Sequence, residues 1–337
     1  MNQGNAPARR VGLAILLCVL LLAMAASLMV GARSIAPGTV LSALLHGGAG
    51  TDAQVVRDLR LPRTLVGVTV GAAVAAAGAL MQAVTRNPLA DPGLLGVSAG
   101  SSAAVVVAIG VFGIGSATGY VWFAIAGAAL ASAVVYALGG AAPAGGDAAT
   151  PIRLALAGTA VTAALLSVVR AVTVLDPATF DTFRFWIVGS LSGRSVSVLV
   201  QVGPLVLAGL VLAALLSRPL NTLALGTELA GALGARPGRT RAAGALAVVL
   251  LSGSATAAAG PIAFVGLVIP HAVRAITGPD QRWVLAYSVV AGPILLLVAD
   301  VAGRVIAPPG EIPVAVCTAV IGAPVFIALV RRRVVRL

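Results

Sequence analysis

Lysine is absent from this chain of 337 residues, and charged residues of any kind make up only 9% of it. A soluble domain carries about a quarter charged residues, so this sequence cannot cover a surface that faces water. Hydrophobic residues make up 59% of the chain, and its mean hydropathy is +1.07. The composition therefore predicts an all-α polytopic membrane protein.

The scarcity of lysine, histidine and cysteine excludes several kinds of chemistry. A phosphate-binding P-loop requires a lysine, so the chain cannot hold ATP in that way. The two histidines, His46 and His271, are far apart, which excludes a His-rich metal site and an HExxH hydrolase. Cys18 and Cys317 lie inside apolar runs and are expected to be packing residues rather than a disulfide. We expect no catalytic residue, no metal site and no bound cofactor.

Carboxylates are nearly missing from the apolar runs, although proton- and sodium-coupled transporters usually carry them there. Asp300 is the one candidate, and Arg304 follows four residues later, at the spacing of a helix ion pair. Two alternatives follow: a local structural pair, or the essential carboxylate of a self-powered secondary transporter. The sequence shows no nucleotide site that could power transport, so the chain is expected to be a channel or a transporter driven by another subunit.

Ten apolar segments are long enough, or nearly so, to cross a bilayer core, which takes about 20 helical residues. They are residues 11–30, 65–83, 93–112, 120–138, 154–172, 196–216, 242–259, 261–276, 284–301 and 312–330. The first is too long for the apolar part of a signal peptide and is expected to be a retained helix. The eighth is the weakest, because it is short, carries His271 and Arg274, and is closed off by Gly278 and Pro279. Pro270 is also expected to break it.

The distribution of arginine decides between nine and ten spans. With ten spans and a cytoplasmic N-terminus, 14 of the 22 arginines are cytoplasmic and 8 are external. The basic C-terminal sequence RRRVVR is then cytoplasmic too, as the positive-inside rule requires, whereas nine spans would place it outside. Arginines at the ends of apolar runs also explain the net charge of +12 without nucleic acid. We therefore predict one domain over residues 1–337, with ten transmembrane helices and both termini cytoplasmic.

Two connections carry more sequence information than a plain turn needs. The cytoplasmic connection at about 218–241 is long, and loops of that length are usually functional. A solvated loop is its alternative. The external connection at about 177–194 interleaves Phe180, Phe183, Phe185 and Trp186 with charged residues. That pattern indicates a helix at the membrane interface, and a re-entrant gate is the alternative.

Seven stretches of the sequence resemble the FecCD/BtuC family, the membrane permeases of type II ABC importers for ferric siderophores, haem and cobalamin. In chain order they are LRLPRTL, GALMQAVTRNPLADPGLLGVSAG, FWIVGSL, LALGTELAGALG, GPIAFVGLVIPHAVR, LVADVAGR and EIPVAVCTAVIGAPVFIALV, spanning residues 59–330. The resemblance implies a BtuC-like fold in the bacterial cytoplasmic membrane. It also implies a second permease subunit, two ATPase subunits that use ATP and Mg, and an external substrate-binding protein. Ferric siderophores are the expected substrate because they are the most frequent in the family, and cobalamin and haem stay open as alternatives.

The resemblance also implies roles for particular residues. The loop that matches LALGTELAGALG forms coupling helices on the ATPase in the family, and Leu229 and Leu233, four apart, would share one helix face. Expected coupling residues are Glu228, Leu229, Leu233, Gly234, Arg236, His271 and Arg274. The residues expected to face the binding protein are Arg60, Arg63 and Arg304. The alternative is that they are anchors whose charged ends reach the lipid headgroups. The residues expected to line the translocation pathway are Gln82, Arg86, Asn87 and Pro88. For Gln82, the alternative is a hydrogen bond to a neighbouring helix.

Overall fold

The computed structural model describes residues 6–31, 33–47, 50–140, 151–308 and 310–334, and within these ranges the chain is helical with no β-strand. The α-helices are α1 (Ala6–Met29), α2 (Pro37–His46), α3 (Thr51–Gln54), α4 (Leu61–Thr85), α5 (Val97–Gly110), α6 (Ala117–Gly140), α7 (Pro151–Leu175), α8 (Pro177–Ile187), α9 (Val196–Leu223), α10 (Thr227–Ala232), α11 (Pro237–Ala259), α12 (Val265–Thr277), α13 (Gln281–Ile306) and α14 (Val314–Val334). A π-helical segment, Val55–Arg60, leads into α4, and a 3₁₀ turn, Pro92–Leu95, leads into α5.

Among the described residues, seven helices are long and apolar enough to cross a membrane: α1, α4, α6, α7, α9, α11 and α13. The remaining three predicted segments are the shorter apolar helices α5, α12 and α14. Each of the ten predicted segments therefore overlaps one apolar helix. Seven helices of spanning length are sufficient to identify a multi-pass membrane protein.

Helix α4 forms the centre of the bundle. Most of its length is buried, and it packs against α13, α11, α12 and α9. Its buried residues are mainly Ala, Gly and Val, which let neighbouring backbones approach closely where apolar burial from water cannot drive association. The peripheral helices α1 and α7 are buried over only a small part of their length. The site residues near the ends of α4 therefore lie in the most constrained part of the fold.

Glycine is required at two close helix crossings. A Cβ atom on Gly100 of α5 would lie 2.3 Å from the carbonyl oxygen of Gly127 in α6, and the reverse contact is equally short. A Cβ atom on Gly78 of α4 would lie 1.8 Å from the carbonyl oxygen of Gly266 in α12. No side chain fits at these distances, so both crossings depend on the absence of a Cβ atom.

The expectation that Pro270 breaks the eighth apolar segment is wrong. Helix α12 runs continuously through Pro270 from Val265 to Thr277. Proline removes only the N–H that would bond the carbonyl of Gly266, and that carbonyl lies against the backbone of Gly78 instead. Loss of one hydrogen bond within a helix is tolerated where neighbouring helices pack closely against it inside a membrane protein.

Candidate functional sites at the two ends of the helix bundle

The arginines expected at a docking surface meet where α4 begins. Arg63 contacts Asp300 through two nitrogen atoms, with Nε 3.0 Å from Oδ2 and Nη2 2.8 Å from Oδ1. Its third nitrogen, Nη1, donates to Oε2 of Glu311 at 2.7 Å. Arg304 binds the same Asp300 carboxylate from within α13, with Nη2 3.0 Å from Oδ2. The ion pair expected from the four-residue spacing is confirmed, and Arg63 is a second partner that the spacing did not predict.

Two arginines of this cluster anchor the end of α1. Nη1 of Arg304 donates to the carbonyl oxygens of Ser27 and Val30, both at 3.0 Å. Nη1 of Arg60 donates to the carbonyl oxygen of Leu28 at 2.8 Å. The last four carbonyl groups of a helix lack partners within the helix, and positive charge is favourable there. Arg60 and Arg304 therefore cap the C-terminal end of α1, independently of any role in docking.

A cavity of about 370 Å³ opens beside this arginine cluster. Its arginine lining comprises Arg33, Arg60, Arg63, Arg194 and Arg304, and its acidic lining comprises Asp58 and Glu311. Arg60 is 7% exposed and Arg304 is 3% exposed. An acidic partner would therefore meet the summed positive field of the cavity rather than three freely exposed side chains.

Gln82 lies at the other end of α4, in a hydrogen-bonded contact with α12. Its Nε2 donates to the carbonyl oxygen of Leu267 at 3.1 Å, and its Oε1 accepts from Nη1 of Arg274 at 2.9 Å. The side chain is buried, with 3% of the residue exposed. The hydrogen bond to a neighbouring helix, offered as the alternative for Gln82, is thus present. Its place on a pathway stays a prediction.

The turn after α4 is exposed and satisfies its own backbone groups. Arg86 ends α4 in the left-handed conformation, with φ of 52°. The side chain of Asn87 accepts from the amide of Leu89 at 2.9 Å, and Asp91 accepts from the amide two residues on at 2.8 Å. Arg86, Asn87 and Pro88 are all exposed. Asn87 and Asp91 therefore satisfy amide groups that the turn leaves without helical partners.

The coupling candidates between α9 and α11 form one short exposed element. Helix α9 continues to Leu223 and α11 begins at Pro237, so the segment outside the long helices is narrower than about 218–241. Within it, α10 is seated on buried Ala230, while Leu229 is 51% and Leu233 63% exposed. Glu228, Gly234 and Arg236 are exposed as well. Gly234 adopts φ of 81°, a left-handed conformation suited to glycine after a helix.

The two coupling candidates on α12 do not join that exposed surface. His271 is 3% exposed, and its ring centre lies 6.3 Å from that of Phe326 in α14. Arg274 is half-buried and contacts Gln82. The candidate set therefore divides into an exposed group on and after α10 and an internal group on α12. The first group is exposed to a partner, whereas His271 is buried.

One residue that the sequence analysis did not select is Arg170, an exposed arginine on the apolar helix α7. Thr159, Ala163 and Ser167 are exposed at helical spacing from it, so the four share one face. Within the described part of the chain, the Arg170 side chain has no ion pair or hydrogen bond. The signal available in the sequence was an arginine inside an apolar run with small and hydroxyl residues every third or fourth position.

The structure defines a multi-pass membrane protein with a basic cavity at one end of its bundle and an exposed leucine-bearing helix at the other. The profile of the FecCD transport family matches residues 19–332. The chain is 47% identical over 334 residues to the Escherichia coli ferric enterobactin transport system permease protein FepD, covering 99% of this chain and 98% of that one. It is 41% identical to the Bacillus subtilis probable siderophore transport system permease protein YfiZ, covering 97% and 98%.

A solved structure supports the same assignment. An inward-facing metal-chelate type ABC transporter matches with a TM-score of 0.82 and 28% identity, covering 95% of this chain and 98% of that one. The chain belongs to the FecCD transport family. It is therefore a permease subunit of an ABC importer, a transport component rather than an enzyme. Permeases of this kind work with ATPase subunits and binding proteins.

Proposed function

We propose that this permease carries a ferric siderophore across the bacterial cytoplasmic membrane. It would do so through ten spans, with both termini cytoplasmic and a second permease subunit forming the other wall of the pathway. The observation that supports a ferric siderophore as the substrate is the similarity to a ferric enterobactin permease over nearly the whole of both chains. Two ATPase subunits would supply the energy by Mg-dependent hydrolysis of ATP, and this chain would bind no cofactor of its own.

The exposed face of α7 supports a polar pathway between two permeases. Thr159 and Ser167 bond carbonyl oxygens of their own helix, so their hydroxyl groups would tolerate lipid. The guanidinium of Arg170 is less favourable in lipid, because an arginine costs about 2.5–3.5 kcal/mol at the centre of a membrane helix and a smaller amount nearer its end. Arg170 lies five residues, or about 7.5 Å, before the end of α7. A water-filled path beside α7 accommodates the charge and attracts an anionic chelate.

The two ends of the bundle would meet different partners. The basic cavity beside Arg63 suits carboxylates of the external binding protein, whose approach it would steer and orient. The exposed Leu229 and Leu233 suit an apolar cleft on the ATPase. Gln82 and the Arg86–Pro88 turn would line the inner part of the pathway, close to the coupling segment. These roles follow the expectations from the family resemblance.

Reconstitution tests the proposed substrate. The permease would be assembled with its partner subunits in liposomes loaded with ATP and Mg, with the binding protein outside, and uptake of a radioactive-iron siderophore would be followed. We expect uptake that requires ATP and is not competed by cobalamin or haem. Preferred uptake of cobalamin or haem would contradict the substrate. Uptake driven by an ion gradient without ATP would instead favour the secondary transporter that uses Asp300.

A second experiment tests the pathway along α7. Single cysteines at Ser167 and Arg170, in a background lacking Cys18 and Cys317, would be treated with a membrane-impermeant thiol reagent in the assembled transporter. We expect labelling that bound substrate slows. Arg184→Gln serves as the control for loss of an arginine, because Arg184 is exposed on α8 and pairs with Asp181. Equal uptake by Arg170→Gln and Arg184→Gln, with no labelling, would mean that Arg170 only snorkels.

A further inference from the structure

A groove lies between α1 and α12, with α13 as its floor, at the end of the bundle where α1 begins. Its volume is about 630 Å³. Arg9 lies at its mouth, and Leu16, Ile269, Ile276 and Ala291 contribute to its walls. None of the described residues that line it is acidic. The groove therefore combines one cation with a mainly apolar interior.

Contacts with α13 hold Arg9 at this mouth. The hydroxyl group of Tyr287 donates to the carbonyl oxygen of Arg9 at 2.6 Å, which fixes the backbone. The guanidinium carbon lies 6.0 Å from the ring centre of Trp283, within reach of a cation–π interaction. A methyl group on Gly278 would lie 3.7 Å from Nη2, so the guanidinium is also beside the end of α12. Arg9 is thus preorganised although it is only half-buried.

The dimensions of the groove match an amphiphile that lies along the helices. Arg9 and Leu16 are seven residues apart on α1, which corresponds to about 10 Å of helix. Ile269 and Ile276 span the same distance on α12. The cation is at the end of this apolar length and an interfacial Trp283 is beside it, the arrangement that binds a charged headgroup above an acyl chain.

We propose that this groove is a binding site for a net-anionic phospholipid, with the phosphate on Arg9 and an acyl chain between α1 and α12. The assignment to the cytoplasmic leaflet rests on the proposed topology. Basic pockets between transmembrane helices on the cytoplasmic side bind anionic headgroups. Charge complementarity and the lack of an acidic lining residue favour such a lipid over a zwitterionic one.

The site has a consequence for the internal coupling candidates. Ile269, Ala272 and Val273 line the groove, whereas His271 and Arg274 lie on the opposite face of the same helix. An acyl chain in the groove would support the lipid-facing side of α12 while Arg274 contacts Gln82 on the other side.

Native mass spectrometry of the delipidated transporter, assembled with its ATPase, tests this proposal. Phosphatidylglycerol and phosphatidylcholine would be titrated into the wild type and into Arg9→Gln and Arg10→Gln. Arg10 is the matched control, because it is adjacent and exposed but does not line the groove. We expect preference for phosphatidylglycerol and about tenfold weaker binding in Arg9→Gln, equivalent to about 1.4 kcal/mol. Arg10→Gln should bind as the wild type does.

A second variant, Ala272→Phe, narrows the groove without changing charge and should also weaken binding of phosphatidylglycerol. Equal binding of both lipids, or equal loss in Arg9→Gln and Arg10→Gln, would overturn the site. Cross-linking of Ile276→Cys to the second permease would overturn it as well, because the groove would then be a protein interface. The measurement needs no transported substrate, so an incorrect siderophore assignment would leave its outcome unchanged.

Discussion

Arg63 and Asp300 are 237 positions apart in the sequence and form a buried contact through two nitrogen atoms of the guanidinium. Only 12% of the Arg63 side chain and 1% of the Asp300 side chain are exposed. The contact joins the start of α4 to α13, and Arg304 adds a second positive charge to the same carboxylate. Asp300 is therefore the counter-charge of two arginines, which explains its presence in an apolar helix without ion transport.

Replacing Asp300 with Asn should destabilise the permease strongly. The amide keeps the shape but leaves Arg63 and Arg304 without their shared counter-charge, and breaking a buried pair costs about 3–5 kcal/mol. Thermal unfolding of the purified permease in detergent measures the loss. Asp181→Asn is the control, because its 3.4 Å pair with Arg184 is exposed and should contribute at most about 1 kcal/mol. Similar losses in the two variants would mean that Asp300 does not hold the cluster together.

The double variant Arg63→Gln/Asp300→Asn separates stability from docking. Removing both charges should recover part of the stability lost in Asp300→Asn, because Arg63 is no longer an unpaired ion. The recovery is incomplete, because Arg304 still lacks its carboxylate and Glu311 loses Arg63. The basic cavity nevertheless loses an arginine that we propose faces the external binding protein. We expect weaker binding of the substrate-binding protein and a smaller dependence on salt, measured with immobilised transporter at two ionic strengths. Wild-type affinity in a stable double variant would remove Arg63 from the docking surface.

The positions of most long helices can be predicted from the sequence, because a helix that spans a membrane requires a long apolar run. All ten predicted segments overlap apolar helices. The spacing of Asp300 and Arg304 also predicted their ion pair correctly. Local periodicity and hydropathy were sufficient for these features, since both depend on residues close together in the chain.

Features that depend on distant contacts could not be predicted in this way. Nothing near Arg60 in the sequence indicates that it bonds the carbonyl of Leu28, or that Arg63 reaches Asp300. The close approach of the Gly266 carbonyl in α12 to Gly78 in α4 is equally absent from the local pattern. Each of these contacts joins two separate helices, so the residue pattern of one helix cannot predict it.

Gly100→Ala should disrupt the crossing of α5 and α6. Its new methyl group would lie 2.3 Å from a backbone oxygen of Gly127, so the helices must separate. Overpacking of this kind costs about 1–3 kcal/mol. Gly203→Ala on α9 is the matched control, because a Cβ atom there meets no atom within 4 Å. Thermal unfolding should show a lower midpoint for Gly100→Ala alone, and equal midpoints would contradict the proposed close contact.

Asp91, in the turn before α5, should give the stability a pH dependence. Burial raises the pKa of its carboxyl above the ordinary 3.8, and the amide of Gly93 offsets only part of that effect. The folded state therefore keeps the proton longer than the unfolded state, and stability falls as pH rises from the ordinary value through the raised one. Asp91→Asn, whose amide oxygen still accepts from Gly93, should remove this fall. Unfolding midpoints measured across that interval test it, and unchanged pH dependence in the variant would contradict it.

The exposed leucines of α10 provide the test of coupling to the ATPase. A permease without a P-loop is driven mechanically, and Leu229 and Leu233 are the large apolar side chains of the element that Ala230 seats on the bundle. Leu229→Asp/Leu233→Asp would place charge in the apolar contact without affecting the buried core. We expect normal insertion of the permease, together with loss of ATPase stimulation or hydrolysis without transport.

Leu229→Met/Leu233→Met is the matched control, since it keeps apolar side chains of similar volume and should retain coupled transport. Both variants would be assembled with the ATPase, and siderophore uptake and phosphate release would be measured on the same preparation. A solvated loop that only satisfies the distribution of arginine would tolerate the aspartates. Coupled transport at the wild-type rate in the aspartate variant would therefore show that α10 does not transmit the motion of the ATPase.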